Sequence, residues 1–204
     1  MIEIDKIQEE LKKPLPGKVI QYKMAPSDRV IRDQAVNVQE IKRSAVLILL
    51  FYKNDELHIL LTQRASYNGP HSGQISFPGG KFEATKDNNL QDTVIRETRE
   101  EISLKPETYE ILGELTPLII PISKITVQPF LAYCSNISQA LVDGYEITDL
   151  YQIPISHLLK STTVKTKQEN NLEYPYFDFK GNVIWGATAM MLSELLEIIS
   201  RSKH

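Results

Sequence analysis

Apolar residues crowd together at positions 45–52, reading AVLILLFY, and an uninterrupted run of that length between charged residues predicts a buried strand. Turn residues at 53–56 follow, and positions 58–63 return as its hairpin partner. A brief strand is expected at 74–77, further strands at 111–120 and 125–133 with a Pro121-containing turn between them, and a hairpin of 174–179 with 182–185 around Lys180-Gly181. Three stretches have helical spacing instead. Ile4, Ile7 and Leu11 mark a short amphipathic helix over 2–13, ended by Pro14, Pro16 and Gly17. Leu90, Val94, Thr98 and Ile102 form a stripe spaced by four, which predicts a helix over about 89–102. Met191, Leu192, Leu195, Leu196 and Ile199 give the last helix an apolar side, best read as core.

The chemistry concentrates at 77–104, FPGGKFEATKDNNLQDTVIRETREEISL. Asn88 and Gln91 form an Asn-x-x-Gln capping signature, and no Gly or Pro interrupts the residues from there to Leu104. Glu97, Glu100 and Glu101 then stand at i, i+3 and i+4 and project from one side of the helix. Like charges at that spacing repel, and a cation removes the cost. Hard carboxylate oxygens suit Mg²⁺ or Mn²⁺, which bind few protein ligands alongside substrate phosphates. The bare backbone of Gly79 and Gly80 lets carbonyl groups approach such an ion. A solvated acidic face, with Arg96 paired to Glu100 and Arg99 neutralising more charge, is the competing reading of the same residues.

Composition narrows the class. The 204 residues are 42% hydrophobic and 24% charged, enough for one full core. A net charge of −3 argues against a nucleic-acid partner. The single cysteine, Cys134, excludes an internal disulfide and lies in an apolar run, as a packing residue would. Neither a signal-peptide core nor a membrane span is visible, so a cytoplasmic protein without a membrane partner is expected. The basic residues dispersed over 18–43 read as a solvated surface.

The order Gly80, then Arg96-Glu97-Thr98-Arg99-Glu100-Glu101-Ile102-Ser103-Leu104, resembles the box of the Nudix hydrolases, Gly-x5-Glu-x7-Arg-Glu-apolar-x-Glu-Glu-x-Gly-apolar. Gly80 to Arg96 spans sixteen positions where the general box has fourteen, so the turn is two residues longer. Asp87 or Glu83 is left to stand for the first box acid, Thr98 replaces an apolar residue and Ser103 the late glycine. Upstream, residues 60–80, LLTQRASYNGPHSGQISFPGG, are similar to the signature of the coenzyme A diphosphatase (pyrophosphatase) subfamily, with Leu60, Leu61, Thr62, Arg64, Ala65, Gly73, Phe77, Pro78, Gly79 and Gly80 in register. Gly69 stands where that signature has a second Arg. His71 reads as a hydrogen bonder in this loop. Residues 145–159 and the string IWGATA at 184–189 resemble the same subfamily, so the resemblance covers roughly 44–200.

The resemblance implies an α/β (α+β) fold, a Nudix-type α/β/α sandwich with a mixed β-sheet. Residues 1–43 would be a helical arm and extension packed on a single domain at 44–204. It implies a Mg²⁺- or Mn²⁺-dependent hydrolase of a diphosphate bond, most directly in coenzyme A, giving 3′,5′-ADP and 4′-phosphopantetheine. Gly79, Glu97, Glu100 and Glu101 would hold metal, Arg64 and Gly80 would contact substrate, and Arg96 would fix a box glutamate. Glu146, with Asp143 and Asp149 as alternatives, would bring an extra acid from a loop to orient or deprotonate water. The partner is then a small diphosphate, with a homodimer left open. ADP-ribose, a nucleoside-diphosphate sugar or a deoxynucleoside triphosphate remain alternative substrates, and a non-catalytic nucleotide-binding module is the reading from a different class.

Overall fold

The computed structural model describes residues 2–34, 41–66, 72–142, 144–169 and 171–203. Gly69, His71 and Asp143 lie outside them. Helices α1 (Ile4–Leu11), α2 (Lys18–Gln21) and α3 (Arg29–Gln34) precede β1 (Lys42–Lys53). There follow β2 (Glu56–Arg64), β3 (Ile75–Ser76), β4 (Gly79–Lys81) and α4 (Leu90–Ile102). Next come β5 (Tyr109–Glu114), β6 (Leu118–Ile120), β7 (Ile125–Cys134), β8 (Ile147–Pro154) and α5 (Ile155–Leu158). The chain closes with β9 (Val164–Glu169), β10 (Leu172–Phe179), β11 (Asn182–Trp185) and α6 (Gly186–Arg201).

The apolar run at 45–52 is the central strand, and alternation of side chains along β1 explains the layers. Ala45, Leu47, Leu49 and Phe51 face one core with Val94 and Ile102 of α4. Ile48 and Leu50 face the other, with Ile59, Leu61 and the buried face of α6. One sheet is therefore covered by helices on both sides. It is mixed: β1 runs parallel to β7 and antiparallel to β2 and β4. Strand β8 pairs antiparallel with β2. A second, antiparallel sheet has the order β11-β10-β9.

Most elements fall where periodicity placed them; α2, α3 and β4 lie where it placed none, and four further differences have physical reasons. The expected strand over 111–120 is two strands, because the chain leaves the ladder at 115–117, where Leu115 is buried and its N–H donates to the Pro129 carbonyl at 3.0 Å. Strand β9 has no apolar alternation to announce it, being exposed along its length. The α4 cap is Asn89, not Asn88. The Asn89 side chain accepts from the Asp92 N–H at 2.9 Å, while Asn88 N–H and amide donate to the Asp92 carboxylate, so the box closes on Asp92 instead of Gln91. Arg29 is not part of a solvated surface. It is buried, pairs with Asp33 at 2.9 Å, donates to the Ile119 carbonyl and lies over the Tyr22 ring.

The N-terminal segment is tied to α6 by a buried acid. Glu194 is fully buried and accepts from Gly17 N–H at 3.0 Å, the Gln21 amide at 2.8 Å and the Thr116 hydroxyl at 2.6 Å. Such a carboxylate is affordable only with its oxygens satisfied. Ile7 is buried in the core that includes the apolar face of α6, and Cys134 is buried on the other face. Among the described residues no helix is long and apolar enough to cross a membrane.

Candidate active site

The site is assembled by β4, the turn that follows it, and α4. Gly79 is the residue that allows β4 to lie against β1. Its φ is 146°, and a Cβ there would sit 2.2 Å from the Ala45 carbonyl oxygen. With the backbone that close, the Gly79 N–H donates to Glu101 Oε2 at 2.8 Å. Gly80 is bare for a different reason, since a Cβ would meet the Glu97 carboxylate at 2.4 Å. The two glycines thus admit the two acids.

Helix periodicity places Glu97 and Glu101 one turn apart, on the edge of the face that carries Val94, Thr98 and Ile102 into the core. Glu101 is only 3% exposed. Burial pushes its carboxyl up to about 8, reinforced by the charges of Glu97 and Glu146 and opposed by the Gly79 N–H and Arg64. The Arg64 guanidinium stands 3.6 Å from Glu101 Oε1, so the signature arginine reaches the site from the end of β2. Burial also raises Glu97, against the pull of Arg96, with Glu100 and Glu146 adding repulsion.

Arg96 organises the outer half. It donates to Asp87 through Nε at 2.8 Å and Nη2 at 2.9 Å, to Glu97 at 2.8 Å, to Glu100 at 3.2 Å and to the Lys81 carbonyl at 3.2 Å. Asp87 is buried and also accepts from the Glu83 N–H and the Thr93 hydroxyl, both at 2.9 Å. Its hydrogen bonds from Arg96 hold it well below the usual carboxylate range, and Asp87 in turn raises the guanidinium further. Of the two acids that the lengthened turn offered, Asp87 therefore anchors Arg96. Glu83 stands 4.0 Å from Arg96 and bonds Lys86. The sequence signal was the placement of Asp87 in the lengthened turn; the bidentate grip and the Thr93 hydroxyl have none.

Three helix acids were expected to act together, and the structure brings two together. Glu97 and Glu101 converge beside the glycines, while the Glu100 side chain is 55% exposed and turned to Arg96. Among the described residues no group of three or more His, Cys, Asp or Glu is arranged as a ready cage for a metal ion. The donor set nevertheless fits a hard divalent cation. Glu101 has the Arg64 guanidinium at 3.6 Å and Glu97 has Arg96 at 2.8 Å, yet burial still raises both carboxyls, and a cation between them would offset that cost. Glu146 lies close enough for its charge to act on both acids, and its carbonyl accepts from the Ala65 N–H at 2.8 Å. Asp149 bonds its neighbour, with its carboxylate accepting from the Leu150 N–H at 2.8 Å.

The NUDIX domain model matches residues 41–130, the span that contains β1, the glycine turn and α4. The Yersinia pestis protein named NudL, an uncharacterised Nudix hydrolase, is 30% identical over 164 residues, covering 78% of this chain and 80% of that protein. Nudix hydrolase 3 of Caenorhabditis elegans is 28% identical over 84% of this chain and 78% of its own length. A probable nudix hydrolase of Schizosaccharomyces pombe is 30% identical over 79% of this chain, which spans 57% of that relative. Among solved structures, a MutT/nudix family protein from Enterococcus faecalis superposes with a TM-score of 0.57 at 16% identity, over 97% of this chain and 73% of that one. The NUDIX domain of Shewanella oneidensis NrtR, solved with ADP ribose, gives 0.50 at 22% identity over 62% of this chain and 79% of that one. These two likenesses concern the fold. The relative matched at 30% identity over four-fifths of its length, together with the matched domain model, decides the family, and this chain belongs to the Nudix hydrolases.

Proposed function

We propose that this chain hydrolyses the diphosphate bond of coenzyme A, giving 3′,5′-ADP and 4′-phosphopantetheine, with Mg²⁺ or Mn²⁺ held by Glu97, Glu101 and the Gly79 carbonyl, and Glu100 at the rim. The observation that carries the reading is the placement of Arg64. This residue belongs to the segment at 60–80 that resembles coenzyme A diphosphatases, and it stands 3.6 Å from the buried Glu101 of the Nudix helix. Signature and metal-type acids meet in one site.

When bound, the cation would supply positive charge to the diphosphate and acidify a water molecule. The residues of this chain do the rest. Arg64 presents a planar fork of donors to a phosphate oxygen. Gly80 keeps the approach to Glu97 free of a side chain. Arg96, fixed by Asp87, holds the Glu97 rotamer, so Arg96 is a positioning residue in this scheme. Glu146, on its loop, or one of the box acids would take a proton from the attacking water.

A second reading has one observation in its favour. Gly69 replaces the second signature arginine, which removes a cation from the segment and suits a diphosphate without a 3′-phosphate, such as ADP-ribose. Product chromatography of coenzyme A, ADP-ribose, a nucleoside-diphosphate sugar and a deoxynucleoside triphosphate with each metal separates the two. The coenzyme A reading expects the highest kcat/KM for coenzyme A; a higher value for any of the others overturns it.

A further inference from the structure

Described residues of the segment between β7 and β8 bond to the backbone on both sides of the site. Its Leu141 N–H donates to the carbonyl of Ile102 at 2.9 Å, at the end of the helix that bears Glu101. Its Gly144 N–H donates to Ile147 at 3.1 Å, and Glu146 accepts from Ala65, the residue after Arg64. The loop is therefore pinned at one end beside Glu101 and at the other beside Arg64, two side chains that are themselves 3.6 Å apart. A diphosphate bound between Glu101 and Arg64 would bring one of its ester arms to this loop.

The loop sequence sets three large side chains, Leu141, Val142 and Tyr145, among the acids Asp143 and Glu146. Leu141, Val142 and Tyr145 are 65%, 36% and 87% exposed. Exposed apolar surface of this kind, three large side chains within five positions, gains free energy when covered. A sugar arm, ringed with hydroxyls, would gain little there. A pantetheine arm offers a quaternary carbon bearing two methyl groups, one methylene removed from the ester oxygen, which is branched, apolar and close to phosphorus.

We infer that Leu141, Val142 and Tyr145 form the rim that receives the pantetheine arm of the substrate, so that 4′-phosphopantetheine is the product held on this side. The inference rests on the coenzyme A reading and adds the residues that select the apolar arm.

The test uses the double variant Leu141→Ser, Tyr145→Ser and product inhibition of coenzyme A hydrolysis. The inhibition constant of 4′-phosphopantetheine rises about tenfold in the variant, while that of 3′,5′-ADP stays within about twofold and reports that the site is still folded. Equal shifts for both products, no shift for either, or a shift for 3′,5′-ADP alone overturns the rim. Unmoved inhibition constants with a changed sedimentation coefficient would mark the patch as a subunit contact, which also overturns it. Failure of the wild-type chain to cleave coenzyme A defeats the substrate reading, and the rim with it. That outcome is read in the wild type alone and is distinct from the others.

Discussion

Replacing Glu101 by Gln removes a charge that the fold disfavours and that the chemistry requires, so stability and activity move in opposite directions. Burial raises the Glu101 carboxyl from its usual 4.5 to about 8. The folded chain therefore binds this proton more tightly than the unfolded one, and folding is favoured where the group is protonated. Stability from this group is full below pH 4.5 and declines as pH rises towards 8. Over pH 5 to 8 the loss from Glu101 amounts to a few kcal/mol, on the order of 1.36 kcal/mol per unit. Gln has the same shape, keeps an oxygen to accept the Gly79 N–H, and does not ionise. Urea unfolding in a chelator at pH 5 and at pH 8 measures the difference. The variant matches the wild type near pH 5 and exceeds it by on the order of a few kcal/mol at pH 8. Added Mg²⁺ stabilises the wild type and narrows that gap. Turnover of the variant falls on the order of a hundredfold or more. A variant no more stable than the wild type at pH 8 would refute the argument that Glu101 is held as a desolvated, under-compensated acid.

Other substitutions separate the scaffold from the site. Asp87→Asn strips Arg96 of its ionic anchor and should cost about 3 kcal/mol in urea unfolding, with about a tenfold loss of kcat as Glu97 loses its fixed partner. Gly79→Ala drives a Cβ into the Ala45 carbonyl and should lower stability by several kcal/mol, seen as a fall in Tm. Gly80→Ala meets only the end of the flexible Glu97 side chain, so Tm should hold while the Mg²⁺ concentration for half-maximal activity rises on the order of tenfold. If Gly80→Ala instead lowers Tm as much as Gly79→Ala, the division between the two glycines is wrong.

Much of this was legible in the chain. The run at 45–52 marked the central strand because a strand covered on both faces needs apolar residues at successive positions. The stripe Leu90, Val94, Thr98 and Ile102 fixed which side of α4 is buried, and so placed Glu97 and Glu101 beside the sheet. That same geometry sends Glu100 outward, which spacing alone did not resolve: i, i+3 and i+4 share a side, but only two of the three lie against Gly79 and Gly80. Asp87 was one of two candidates for the first box acid, because the lengthened turn spoils the box register, while its grip on Arg96 was not foreseen. Strand β9 was invisible since an exposed edge strand rich in lysine carries no alternation. Arg29 looked like surface charge because its i,i+4 partner Asp33 does not announce burial, which comes with the distant Ile119 carbonyl.

Mn²⁺ binding followed by electron paramagnetic resonance reaches the central proposal without relying on turnover. The wild-type chain is expected to bind Mn²⁺ in competition with Mg²⁺, and the double variant Glu97→Gln, Glu101→Gln is expected to leave the ion free in solution at the same concentration. Equal Mn²⁺ binding by the two proteins would contradict the assignment of Glu97 and Glu101 as the pair that holds the cation.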